Sequence, residues 1–216
     1  MNEIAKLMRL YQHAPLTTRL HVRGRWRLFP FPALAEYLPG QGVLLDIGCG
    51  HGLWAFFAAI LRPDCVVWGV DPDEEKITIA QGIARAQGWE RVHFVAGLAA
   101  EAELPPADRI SLIDVLYLIP YPEQERLLES AVARLNPGGK LLLKEMSQHP
   151  RWKFAWNWLE EWLAVRVMGI TFGEHFYFRT EQDWQETLQN LGLKVKIVYL
   201  DQGYLHPHIL FVGEKV

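Results

Sequence analysis

The chain has 216 residues, half of them hydrophobic, a formal net charge of −3 and two cysteines. That length suits one ordinary domain able to bury most of a core, and scattered Lys and Arg offer no electrostatic footprint for a nucleic-acid backbone. Cys49 and Cys65 are too few for a disulfide framework and fit the reduced thiols of a cytoplasmic protein.

Residues 1–10 mix Glu3, Lys6 and Arg9 with apolar residues at helical spacing and read as neither a signal nor a transit peptide. No apolar run reaches the ~18 residues a membrane-spanning helix needs. Residues 11–31 form a cationic and aromatic stretch with His21, Arg23, Arg25, Trp26 and Arg27. An apolar strand is expected at Val43–Ile47, then a glycine-rich loop and an apolar helix at Leu53–Leu61. A second strand at 65–70 leads into a helix at 73–87 opened by acidic residues that suit its N-terminal dipole. Strands follow at 91–95 and 109–114, an amphipathic helix at 122–135, a stop at Asn136-Pro137-Gly138-Gly139 and a fifth strand at 140–144. The last elements are a helix at Glu181–Asn190 and strands at Leu193–Tyr199 and 208–212. Strand and helix alternate, so the sheet should be mostly parallel and covered on both faces, while the closing hairpin should place one late strand antiparallel.

The densest chemical signal is Asp46-Ile47-Gly48-Cys49-Gly50-His51-Gly52 at the end of the first strand. Three glycines in five residues mark backbone that must bend sharply or approach a ligand closely. Their spacing is G-x-G-x-G, whereas a dinucleotide fingerprint is G-x-G-x-x-G, and a carboxylate two positions ahead suits a cationic ligand better than a pyrophosphate. Asp71 closes the second strand, where a carboxylate can accept hydrogen bonds from a ribose diol.

At these residues the chain resembles the class I S-adenosylmethionine-dependent methyltransferases. The resemblance implies an α/β fold with a seven-stranded, doubly wound sheet whose last strand is antiparallel, here with an aromatic helical insert after strand five. It implies S-adenosylmethionine as cofactor, held by Asp46, Gly48, Cys49, Gly50, Gly52, Asp71, Pro72, Gly97, Leu98, Ala99, Asp114 and Val115. The chain departs from the family where an aspartate commonly meets the adenine amino group, because Leu98 cannot accept a hydrogen bond. Adenine would then rest on apolar packing and on the backbone of Leu98 and Ala99, with Glu101 nearby.

One domain spanning residues 1–216 is expected, with a lid segment at 1–31, a cofactor core at 42–146, a substrate-side insert at 147–179 and a C-terminal helix and hairpin at 180–216. The insert carries Trp152, Phe154, Trp156, Trp158 and Trp162, more aromatic surface than one helix face can bury. Core packing, a pocket for a flat or greasy substrate, and contact with a membrane or second subunit all remain open for it. Methyl transfer needs an in-line nucleophile, plus a base when that nucleophile carries a proton. The candidates for base or orienting group are His149, His175, Tyr117 and Glu145, with Tyr121, His206 and His208 within reach of the pocket. No Cys/His spacing suits a metal. The expected reaction is methylation of a small aromatic or lipid-like acceptor on oxygen or an activated ring carbon, by a monomer or homodimer without nucleic-acid partners. The rivals are a non-catalytic interaction or membrane-adaptor protein of the same fold and, further off, a nicotinamide-dependent oxidoreductase.

Overall fold

The computed structural model describes residues 2–147, 176–200, 203–204 and 207–216. The tryptophan-rich stretch, His149, His175 and His206 lie outside the described residues.

The chain opens with helices α1 (Glu3–Leu10), α2 (Leu16–Leu28) and α3 (Phe31–Leu34), and the alternating core then runs β1 (Val43–Ile47), α4 (Leu53–Leu61), β2 (Val66–Asp71), α5 (Glu74–Ala86), β3 (Val92–Ala96) and β4 (Ala107–Ile113). It continues through α6 (Tyr121–Arg134), β5 (Leu135–Met146), α7 (Glu181–Asn190), β6 (Leu193–Tyr199) and β7 (His208–Lys215). Seven strands form one sheet in the order β3-β2-β1-β4-β5-β7-β6. β1 to β5 are parallel neighbours, and β7 inserts antiparallel between β5 and β6, as the hairpin reading expected.

Helix character follows the burial each sequence permits. α4 reads LWAFFAAIL, apolar all round, and buries Leu53, Trp54, Phe56 and Phe57 on one side of the sheet. α5 buries Ile77, Ala80, Ile83 and Ala84 at turn spacing, and its N-cap Asp73 accepts a hydrogen bond from the Lys76 backbone N–H at 3.1 Å. On the opposite side α7 starts in a capping box between Thr180 and Asp183 and buries Trp184 and Leu188, one turn apart. The two apolar clusters that result sandwich the sheet. α1 joins the first cluster through Leu7, Leu10 and Tyr11, whose ring meets Phe56 edge-on at 5.9 Å.

One boundary differs from its sequence expectation. The Asn136-Pro137-Gly138-Gly139 stretch is a bulge inside β5 rather than a turn ahead of it: Leu135 pairs with Ala107 and Lys140 with Arg109. Asp108 braces it, accepting the Asn136 side-chain amide at 2.8 Å with one oxygen and the Val43 backbone N–H at 2.8 Å with the other. The bulge is thereby pinned to β1.

Candidate cofactor and acceptor site

The strand order reverses between β1 and β4, and a crevice opens outside their carboxyl ends, where ligands of doubly wound sheets bind. Here a cavity of about 540 Å³ is bounded by the glycine loop, Asp46, Asp71, Asp114 and the inward face of α2. Its volume lies in the ~300–1,000 Å³ range of small-molecule pockets.

The loop after β1 is held from β2. Gly48 and Cys49 donate their N–H groups to the Val70 carbonyl at 2.8 and 3.1 Å. Asp71 accepts the Gly50 N–H at 2.8 Å with one carboxylate oxygen and the Asp73 N–H at 3.0 Å with the other. Each oxygen keeps a second lone pair, and Asp71 lines the cavity. The glycines serve different ends. A Cβ on Gly52, whose φ is +78°, would meet the Phe94 ring at 2.7 Å, so this glycine permits packing. A Cβ on Gly50, at φ +53°, would meet nothing closer than Lys76 Cδ at 4.0 Å, so its open side faces the cavity.

Asp46 sits below the loop, buried, where its carboxylate accepts the Ser111 hydroxyl at 2.8 Å; the Trp54 indole N–H in turn donates to Ser111 Oγ at 3.1 Å. Burial, reinforced by Asp71 and opposed by Ser111 and Arg25, raises the Asp46 pKa to about 7. The Cys49 thiol is pushed upward by burial and by Asp46 and Asp71, which keeps it protonated.

Asp114 follows β4 in a left-handed conformation, φ +54°, alone in this among the described non-glycine residues. Arg25 of α2 donates to it at 2.6 Å, and Lys144 of β5 makes a short ion pair to the other oxygen. Burial alone would raise the Asp114 pKa, but Lys144, Arg25 and His208 outweigh it and hold it at about 2. Burial also pulls the Lys144 pKa down while Asp114 pulls it up; with two cations on one carboxylate, the ionic pair is the state this geometry supports. Next along β5, Glu145 is raised to about 8 by burial and by Asp114, against Lys144 and the Leu116 N–H, which donates to it at 3.3 Å.

The remaining expected residues divide by position. Pro72 and Val115 line the cavity with Gly48, Cys49 and Gly50. Gly97, Leu98 and Ala99 are not brought to it: Leu98 is 55% exposed, and Ala99 packs into the second apolar cluster. Tyr117 and Glu145 are buried beside the cavity without lining it; the Tyr117 ring stacks on Phe178 at 5.4 Å. His208 is buried under α2, its Nε2 at 2.8 Å from the Leu28 carbonyl oxygen. From the cationic stretch, α2 sends His21 and Arg25 into the cavity while Arg23 and Arg27 point outward.

Sequence reading passed over His51, Lys76 and Lys144. His51 and Lys76 line the cavity with His21, the two imidazoles 5.4 Å apart. Desolvation and then His51, Arg25 and Lys76 lower the His21 pKa, and desolvation and Lys76 lower that of His51, so both rings are neutral near pH 7. Lys144 had a signal: a charge in Leu141-Leu142-Leu143-Lys144, on a strand buried on both faces, requires a partner.

The sheet order, its switch-point cavity and the glycine loop stapled to an acidic residue define a nucleotide-type cofactor site on a Rossmann-like sheet. The chain belongs to the methyltransferase-domain family, whose profile matches residues 19–196. It is 30% identical over 127 residues to the carboxy-S-adenosyl-L-methionine synthase of Campylobacter curvus, covering 59% of this chain and 54% of the relative. Against the ubiquinone biosynthesis O-methyltransferase of Coxiella burnetii it is 28% identical over 124 residues, 55% of this chain and 51% of the relative. The chain thus spans about half the length of the curated relatives it matches. In fold it is similar to an O-methyltransferase family protein from Burkholderia thailandensis, with a TM-score of 0.70, 19% identity, and coverage of 90% of this chain and 57% of the other.

Proposed function

We propose that the chain transfers a methyl group from S-adenosylmethionine to an oxygen of a small aromatic or lipid-like acceptor. The observation that carries this reading is the switch-point cavity, which gathers a carboxylate with spare lone pairs, an open glycine and a second buried carboxylate around space of nucleoside size. Asp71 would accept the ribose hydroxyls, and Asp46 would meet the ammonium of the methionine moiety. Gly48, Cys49, Gly50, Pro72 and Val115 would supply the remaining wall. When bound, the cofactor supplies an electrophilic methyl group; the chain's own part is to orient the acceptor, exclude water and take its proton.

For that proton, His21 and His51 are the candidates that line the described cavity, since both are neutral and accessible to it. Tyr117 would orient an acceptor indirectly, through its stacked partner Phe178. An oxygen acceptor is supported by the O-methyltransferases among the similar proteins, including one from Planctomyces limnophilus in complex with apigenin. No helix among the described residues is long and apolar enough to cross a membrane. Two free, buried thiols support the reading of a cytoplasmic protein.

Calorimetry with S-adenosylhomocysteine and NAD tests the cofactor assignment. Binding of the first alone is expected, reduced by Asp71→Asn. A folded protein that ignores S-adenosylhomocysteine would return the chain to the non-catalytic reading. Turnover is then sought with phenolic and acyl acceptors under tritiated S-adenosylmethionine.

A further inference from the structure

The first helices carry cations with almost no acids among them. Residues 1–35 carry six Lys and Arg and one acid, Glu3, in a chain whose net charge is −3, so the rest of the molecule is strongly acidic. They fall on α1 and α2. At 100° per residue Leu16, Leu20, Arg23 and Arg27 of α2 share an arc of about 60°, with Arg19 about 40° beyond its edge, opposite Thr18 and Val22. Thr18 and Val22 are buried, whereas Leu16, Leu20 and Leu28 are 65%, 59% and 51% exposed. Between α1 and α2 lies a groove of about 160 Å³ with Arg9, Arg19 and Arg23 along it and Tyr11 and Val22 beneath. None of Arg9, Arg19, Arg23 or Arg27 is ion-paired to a described residue.

We propose that the outward face of α1 and α2 is a docking surface for an anionic lipid bilayer, with Leu16 and Leu20 entering the interface and the arginine groove receiving a headgroup phosphate. Charge complementarity selects the occupant. A helix in the interfacial plane pairs an apolar edge with Arg or Lys that meet acidic headgroups, and Arg recognises phosphate through its planar fork. A nucleic acid would use the arginines but not two exposed leucines beside them, and the aromatic of this helix, Trp26, is stacked inward on Phe31 at 5.4 Å instead of being offered to bases. Docking would also set the opposite face of α2, which carries His21, Val22 and Arg25 to the cavity, directly beneath a bilayer surface. The inference concerns binding alone and stands whether or not methyl transfer is the reaction.

The test is flotation of the full chain with phosphatidylcholine vesicles, with and without phosphatidylglycerol, at low and high salt. Binding is expected only with phosphatidylglycerol and should fall as salt rises. Combining Arg19→Gln, Arg23→Gln and Arg27→Gln should weaken partitioning by about 100-fold. Leu16→Ser with Leu20→Ser should weaken it while leaving circular dichroism and S-adenosylhomocysteine protection unchanged, because both side chains are already in water. The proposal is overturned if the native protein does not float with anionic vesicles, or if neither variant changes flotation. Full competition by inorganic phosphate would make the groove a free-phosphate site, and retention of an RNA oligonucleotide in salt that strips the vesicles would make the partner nucleic acid; either result also overturns it.

Discussion

Arg25 and Asp114, 89 residues apart in sequence, form a 2.6 Å ion pair that fastens α2 to the carboxyl end of β4. Arg25 and Lys144 approach the same carboxylate, and both cations also lie over the Phe29 ring, at 5.3 and 4.9 Å from its centroid. One wall of the cavity is thus tied to its opposite wall through a single charge cluster. Arg25→Ala should cost about 1–2 kcal/mol, since the pair is partly exposed. It should also speed proteolysis within α2 and weaken S-adenosylhomocysteine binding. Unchanged cleavage of α2 would show that the helix is held by its apolar face alone.

Lys144 is the more buried of the two cations, and its loss leaves Asp114 with one half-exposed partner. Lys144→Met should destabilise the fold by about 3–5 kcal/mol in urea unfolding. Adding Asp114→Asn should recover part of that loss, because the uncompensated charge disappears and Asn tolerates the left-handed backbone. Asp114→Ala should be worse than Asp114→Asn by about 1 kcal/mol for the backbone conformation alone. Strict additivity of the Lys144 and Asp114 effects would contradict the buried pair.

The proposed contact of Asp46 with the cofactor ammonium would give cofactor binding a pH dependence with a definite sign. In the free protein its pKa is raised to about 7, against about 3.9 in an unfolded chain. The elevated value favours folding below the unfolded pKa, and that contribution is lost as pH rises through about 7. Binding of an ammonium runs the opposite way, because it demands the carboxylate. Affinity for S-adenosylhomocysteine should therefore rise about tenfold per pH unit from 5 to 6 and level off near 7. Calorimetry across this range should show the slope in the native protein and a flat line in Asp46→Asn; a slope that survives the substitution assigns it to another group.

Two alanine substitutions two positions apart, Gly50→Ala and Gly52→Ala, should separate cavity space from packing. Gly52→Ala drives a methyl group into Phe94 and should lower the melting temperature by several degrees. Gly50→Ala meets only Lys76 Cδ, at an unstrained 4.0 Å, and should cost only about 1 kcal/mol of backbone strain, but it places a methyl group in the cavity. Its expected signature is a larger loss of cofactor affinity than of stability, measured by calorimetry beside thermal melting.

The sheet was legible because its signals are local. Apolar runs such as Leu44-Leu45 and Leu141-Leu142-Leu143 report burial directly, and Asp73 and Thr180 start their helices through bonds within one turn. The β5 bulge was not legible, since the residue that braces it, Asp108, lies on another strand. Nor was the company of Asp114: its place after β4 could be read, but not that Arg25 and Lys144 would converge on it.

The alternation of strands and helices, the glycine loop and the acidic residues at the ends of β1 and β2 can be read from local sequence, because each depends on neighbours a few positions away. Which groups share the cavity is settled by long-range packing. It turned His21 and Arg25 inward and Arg23 and Arg27 outward on one helix, and it left Leu98 in solvent while burying Ala99. These outcomes depend on where α2 and the loop after β3 come to rest on the sheet, and that is set by packing between segments far apart in the chain.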